Sequence, residues 1–261
     1  MSDSKNKKYN KIKNIAIGII FPIAILLFWQ FAYDTNKLPL SQASSPLLII
    51  ESFFCLVKET DFMSNLLLSI SRLFVGVIFG ALFGVIFGVI TSTTKVINKI
   101  FAPTIQFFSG VPVVVWIPFW IMIFGIGESF KIGLVAISTF FLVYGSTYQS
   151  IISIDKEYLD LGRLYQKKYS EMIRYIYMPY SFYSIFGAIR MSLMIGWIVL
   201  FFVEYSISFE GKEGLGWFIA NARGVGRVEE EFVGLISLGI TAFLCATVIA
   251  FFQKRSIEWK K

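Results

Sequence analysis

No histidine occurs anywhere in this chain of 261 residues. The commonest general base and the commonest metal ligand are therefore missing. There are two cysteines, Cys55 and Cys245, far apart and outside any CxxC pattern. That spacing argues against a disulfide framework and against a thiolate metal site. No GxxxxGK[ST] stretch is present, so the chain cannot cradle nucleotide phosphates itself. No internal repeat and no pair of acids within an apolar segment is found, and Glu204 is the one acid read as lying inside such a segment. Charge is scarce as well, at 16% of residues, whereas 56% are apolar. A soluble domain usually lies nearer 45–50% apolar.

What the chain does have is long apolar runs. A helix needs roughly 20 mainly apolar residues to cross the hydrocarbon core. Six segments qualify, at 15–33, 65–90, 101–124, 130–151, 180–205 and 232–253. They predict an all-α, polytopic membrane protein: a cytoplasmic N-tail over 1–14, a six-span domain over 15–253, and a C-tail over 254–261. The first run lacks a small-residue cleavage site and reads as a retained span. Pro46–Lys58 is apolar but too short to cross, and reads as an interfacial helix. Of the 24 lysines and arginines, sixteen fall on the side of the termini and six on the other. This bias places both termini in the cytoplasm and Lys212 outside. The net charge of +7 thus marks membrane orientation and gives no reason to expect nucleic acid.

Between the fourth and fifth spans lies "YLDLGRLYQKKYSEMIRYIYMP", Tyr158–Pro179. Asp155 is placed to cap a helix and Glu157 suits its first turn. Tyr158, Leu161 and Tyr165 share one helical face. Gln166, Lys167 and Lys168 break the pattern. Tyr169, Met172, Ile173 and Ile176 form a second apolar face, which Pro179 is expected to end. The segment 153–179 thus predicts two short helices with a polar hinge. An apolar face outside the bilayer must be covered, by this chain or by a partner.

Three further patterns stand out. Gly76, Gly80, Gly84 and Gly88 recur every four residues, forming a stripe that lets another helix approach closely. The helix that fills it belongs either to this chain or to a second subunit. Gly110, Pro112, Trp116 and Pro118 mark a bent stretch, because an internal proline removes a helical hydrogen bond. Broken helices in lipid occur where protein or water covers them, so this stretch either lines a pathway or is a structural kink. Arg190 and Glu204 are charges inside one span, about 21 Å apart along the axis and near one face. Charges at that depth face an interior. Arg190 suits an anion or a partner acid, and Glu204 a gate or a structural ion pair. Arg72 reads as near a span end, where it can snorkel.

The Tyr158–Pro179 stretch resembles the cytoplasmic loop signature of ABC importer permeases: Glu-Ala-Ala, three residues, Gly, nine residues, Ile-x-Leu-Pro. Anchored on Pro179, Asp160 takes the Glu position, Leu161 and Gly162 the alanines, and Ile176 the Ile. Gln166 stands where the family has Gly. "NLLLSISRLFVGVIFGALFGVIFGV", "GVPVVVWIPFWIMIFGIGESFKI" and "GAIRMSLMIGWIVLFFVE", followed by Gly214-Leu215-Gly216, resemble the permeases of nitrate, sulfonate, taurine and thiamine-precursor importers. The resemblance implies a type I importer permease fold in a bacterial inner membrane. It implies a second permease subunit and two ATPase subunits that hold ATP and magnesium. It also implies an extracytoplasmic binding protein facing 46–58 and 206–231. In this reading Asp160, Leu161 and Gly162 form the knob that enters the ATPase subunit, and Gly162 is small because that partner approaches closely. The substrate expected is a small anionic solute of the sulfonate, taurine or nitrate kind, with a thiamine-precursor pyrimidine or another small organic nutrient as the alternative. An ion-coupled secondary transporter and a membrane enzyme are the rival classes.

Overall fold

A computed structural model describes residues 18, 20–35, 37, 43–58, 60–207 and 213–255. The expected N-tail, most of the C-tail and Lys212 lie outside the described residues. Among those residues no strand occurs. The helices are α1 (Ile20–Asp34), α2 (Pro46–Lys58), α3 (Thr60–Thr93), α4 (Lys95–Ser109), α5 (Ile117–Phe124), α6 (Glu128–Ile152), α7 (Lys156–Leu164), α8 (Tyr169–Met172), α9 (Met178–Ser206), α10 (Leu215–Gly224) and α11 (Val228–Arg255). A 3-10 turn at Val113–Trp116 precedes α5, and a π turn at Ile173–Tyr177 joins α8 to α9.

Four helical stretches are long and apolar enough to cross a membrane: 61–93, 128–152, 169–206 and 228–251. Taken as a pair, α4 and α5 are apolar and long enough for a fifth, as a broken span or a re-entrant loop, and they are bent by 101° within the stretch expected to bend. The break has a local cause. Pro112 has no amide hydrogen to give and adopts extended backbone, φ −55° and ψ 135°, before the 3-10 turn. Pro118 lies in the first turn of α5, where a missing amide costs no helical bond, so it starts a helix and does not kink one. The segment α1 is shorter and apolar.

The described residues pack as two units. The smaller comprises Met1–Met63 and Ile219–Ile236. In it Trp29 packs on Phe232 with ring centroids 5.4 Å apart, and Ser44 donates to Glu229 at 3.4 Å.

The larger unit, Ser64–Phe218 and Ser237–Lys261, carries every candidate site residue. Its centre is the glycine stripe of α3 against α6. A Cβ built on Gly76 would lie 2.7 Å from Val135 Cβ, and one on Gly88 2.7 Å from Thr147 Cβ. Gly80 faces Thr139 and Gly84 faces Val143 in the same way. Both rows advance by four residues in the same sense, so α3 and α6 run parallel and the helix that fills the stripe belongs to this chain. No side chain fits between the backbones, and van der Waals contact replaces a hydrophobic driving force that lipid cannot supply. Leu73, Val77, Val135, Leu193, Trp197, Leu200 and Cys245 form the adjoining core.

The segment after α6 differs from expectation at one point. Pro179 does not end the second loop helix; helix continues from Tyr169 to Ser206. The π turn at Ile173–Tyr177 lies where the proline ring would otherwise meet the carbonyl four residues back.

Candidate functional site

Two regions at opposite ends of the α3–α6–α9 bundle hold most of the candidate residues, and Arg190 lies between them. At one end, Arg72 of α3 is fully buried, with 1% of its side chain exposed. It does not snorkel. Its Nε donates to Glu128 Oε2 at 2.7 Å, and its Nη2 pairs with Glu128 Oε1. Its Nη1 donates to Glu204 Oε1 at 2.6 Å and to the Glu213 carbonyl at 3.3 Å. The planar fork of the guanidinium makes this possible, with four bonds to three residues.

Glu204 is equally buried. Its Oε2 accepts from Ser69 Oγ at 2.7 Å and from the Gly216 amide at 3.1 Å, while the Leu215 amide donates to Ser69 Oγ at 2.8 Å. A carboxylate so buried is tolerable only when paired and hydrogen-bonded, and here it is both. The Gly214-Leu215-Gly216 segment is thereby tied to the spans. A Cβ on Gly214 would run into the Glu204 carboxylate, and one on Gly216 would lie 2.7 Å from Glu204 Cβ. Glycine is required at both positions by this approach. Lys131 is buried beside the cluster. Burial raises the affinity of the Glu213 carboxyl for its proton, opposed by the Lys131 charge.

Arg190 and Glu204, which the helix period puts 40° apart, have different fates. Arg190 is exposed and has no ion-pair partner among the described residues. It lies near the middle of α9 on a stripe with Tyr183, Met194 and Ile198, all at least half exposed. Trp116 packs among Phe108, Phe119 and Phe141 at centroid distances of 5.5, 6.1 and 6.5 Å. Gly110 and Pro112 are at or near the surface of the bend.

At the other end, the segment after α6 folds back as a helical hairpin. Asp155 is the residue before α7, with no side-chain bond to the helix amides, and Glu157 lies in its first turn. The turn passes through Gln166 at φ 50°, the left-handed region. It is the position where the resembling family has glycine, and the turn forms with glutamine in place. The Glu171 carboxylate accepts from the Lys168 amide at 2.9 Å and starts the second helix.

The two apolar faces of this hairpin are used differently. Ile173 and Ile176 pack with Val89, Ile151 and Ile154 of the chain itself. Gly162 is buried, and a Cβ there would meet Met172 and Ile176, the latter at 2.7 Å. The crowding that keeps Gly162 small therefore comes from within the chain, contrary to the expectation of a partner. Tyr158, Leu161, Leu164 and Tyr165 are left 52–76% exposed. Asp160 is also exposed, paired with Arg163 at 3.0 Å.

Sequence reasoning singled out Arg72, Glu204 and the Gly-Leu-Gly separately and missed Ser69. The signal for their union was their joint occurrence in the three stretches that carry the resemblance.

Among the described residues the protein is helical, with a bent helix pair, a buried ion-paired cluster at one end of the bundle and a helical hairpin at the other. Residues 76–258, more than half of the chain, match the family of binding-protein-dependent transport system inner membrane components, and the chain belongs to that family. It is the permease subunit of an ABC importer and a multi-pass membrane protein. Similar curated proteins include SsuC of Bacillus subtilis (strain 168), named for aliphatic sulfonates transport, 26% identical over 97% of this chain and 90% of its own length. The taurine transport system permease protein TauC of Escherichia coli (strain K12) is 22% identical over 94% of this chain and 89% of its own. The riboflavin transport system permease protein RibX of Chloroflexus aurantiacus is 28% identical over 94% and 91%. Among solved structures, an inward-facing form of the MetNI methionine ABC transporter superposes with a TM-score of 0.62 at 16% identity, covering 72% of this chain and 93% of that one. An amino acid ABC transporter gives 0.61 at 18%, covering 78% and 98%. These share the fold.

Proposed function

We propose that this chain forms the translocation pathway for a small organic sulfonate, with both termini and the α7–α8 hairpin in the cytoplasm. The observation that carries the anionic substrate is Arg190, an exposed cation at the middle of α9. A charge there is costly against lipid, so the stripe around it faces a second permease subunit and the water-filled path between them. Similarity to permeases named for aliphatic sulfonates and taurine transport supports the same class.

The exposed face of Tyr158, Leu161, Leu164 and Tyr165 docks on the ATPase subunit. Two such subunits hold the ATP and magnesium, and an extracytoplasmic binding protein delivers the solute. The lysine bias supports this orientation. Arg72, Glu128 and Glu204 then hold the outer end of the spans.

The test is competition. The complex, supplied with its binding protein and ATP in proteoliposomes, takes up labelled taurine or a short alkanesulfonate. Excess riboflavin or a thiamine-precursor pyrimidine does not compete. Similarity to RibX favours a second reading, a neutral ring substrate. Uptake blocked by riboflavin and not by sulfonates would establish that one instead.

A further inference from the structure

A cleft of about 600 Å³ opens beside α6 and α9 at the hairpin end, lined by Ser146, Gln149, Ser150, Ser153, Tyr180, Tyr183 and Ser184. The lining holds no charged residue, but it is rich in hydrogen-bond donors. Serines and threonines inside membrane helices usually satisfy their hydroxyls on the preceding turn, and several here do so. Ser138 donates to the Val135 carbonyl, Thr147 to Val143 and Ser192 to Ala188. Of the serines that line the cleft, Ser153 does the same, donating to the Ser150 carbonyl at 2.8 Å, and the others do not. Among the described residues, the side chains of Ser146, Gln149, Ser150, Tyr183 and Ser184 make no hydrogen bond to the protein. Ser150 is only 8% exposed and still has none. Unsatisfied polar groups on a membrane face are stable only where water or a ligand meets them.

We infer that this cleft is an exit station that receives the oxyanion head of the substrate through neutral donors after it leaves Arg190. The inference rests on the proposed pathway and orientation. Tyr183 precedes Arg190 by seven residues on α9, so about 10.5 Å separates them along the helix axis. That distance lets a small sulfonate pass from one to the other. Hydroxyl and amide donors are what a sulfonate's three acceptor oxygens require. The absence of a cation makes the hold weaker than at Arg190, which suits release, because no opposite charge adds its attraction to the hydrogen bonds.

The experiment uses the complete importer complex with Cys55→Ser and Cys245→Ala. Ser146→Cys and Ser184→Cys are reacted with a thiosulfonate reagent bearing a sulfonate and with its trimethylammonium counterpart. The cleft should favour the anionic reagent at least threefold relative to a small free thiol. In parallel, Gln149→Glu should lower sulfonate uptake at least tenfold with ATPase subunits still retained on purification, whereas Gln149→Asn keeps most of it. An anion ratio no greater than that of the free thiol, or wild-type uptake by Gln149→Glu, overturns the exit station. If the unmodified complex moves no sulfonate, the proposed substrate fails, and the reagent ratio alone decides the chemistry of the cleft.

Discussion

Arg72 and Glu204, 132 residues apart in the chain, form a fully buried ion pair at 2.6 Å. Ser69 and the Gly216 amide complete the shell of the carboxylate. Breaking a buried pair by removing one partner costs about 3–5 kcal/mol, mostly because the other charge stays buried. Glu204→Ala is therefore expected to lower the thermal unfolding midpoint of the purified complex sharply. Adding Arg72→Met should recover part of that loss, measured as a double-mutant cycle.

The parallel contact of α3 and α6 gives a steric prediction. Gly84→Leu would drive a side chain toward Val143 and toward backbone of Phe140 and Tyr144. Overpacking of this kind costs about 1–3 kcal/mol. Gly145, with nothing within 4 Å of a built Cβ, supplies the control. Gly84→Leu should aggregate on mild heating in detergent, and Gly145→Ala should match wild type.

The difference between these two relationships explains what the sequence could and could not reveal. A stripe of glycines at four-residue spacing is a property of one helix, so a reader of the sequence sees it. Which helix enters it depends on how distant segments meet. The same holds for Arg72. Local hydropathy puts it near a span end, and only the arrival of Glu128, Glu204 and the Glu213 carbonyl removes it from solvent. Gly162 was misread for a related reason: a loop register identifies a small residue, but the Met172 and Ile176 side chains that demand it lie across a turn. The bend at Gly110–Pro112 was legible because proline acts on its own backbone. The continuity of helix through Pro179 was not, because a π turn leaves no mark in composition.

Gln166 occupies a left-handed conformation that disfavours side chains by about 1–2 kcal/mol. Gln166→Gly should stabilise the hairpin by up to about 1 kcal/mol, and Gln166→Val should destabilise it. Limited proteolysis of the hairpin in the purified complex reads both, with slower cleavage in the first and faster in the second.

Arg190 predicts a charge dependence of transport. Arg190→Lys should keep most of the uptake of a sulfonate, while Arg190→Glu should lower it at least tenfold in a complex that still assembles. Uptake counted per assembled complex separates this outcome from loss of the subunit.

The docking face proposed for α7 decides the account as a whole. Leu161 is half exposed, whereas Gly162 beside it is buried against the chain, so Leu161→Glu alters the surface and leaves the hairpin packing intact. The measurement is binding-protein-dependent uptake of a labelled sulfonate into proteoliposomes, with ATP on the ATPase side, for wild type and Leu161→Glu. The account predicts ATP-dependent uptake by wild type, and at least tenfold less by Leu161→Glu with weakened ATPase retention. Uptake that proceeds without ATP on an ion gradient, or that is undiminished in Leu161→Glu, would contradict it.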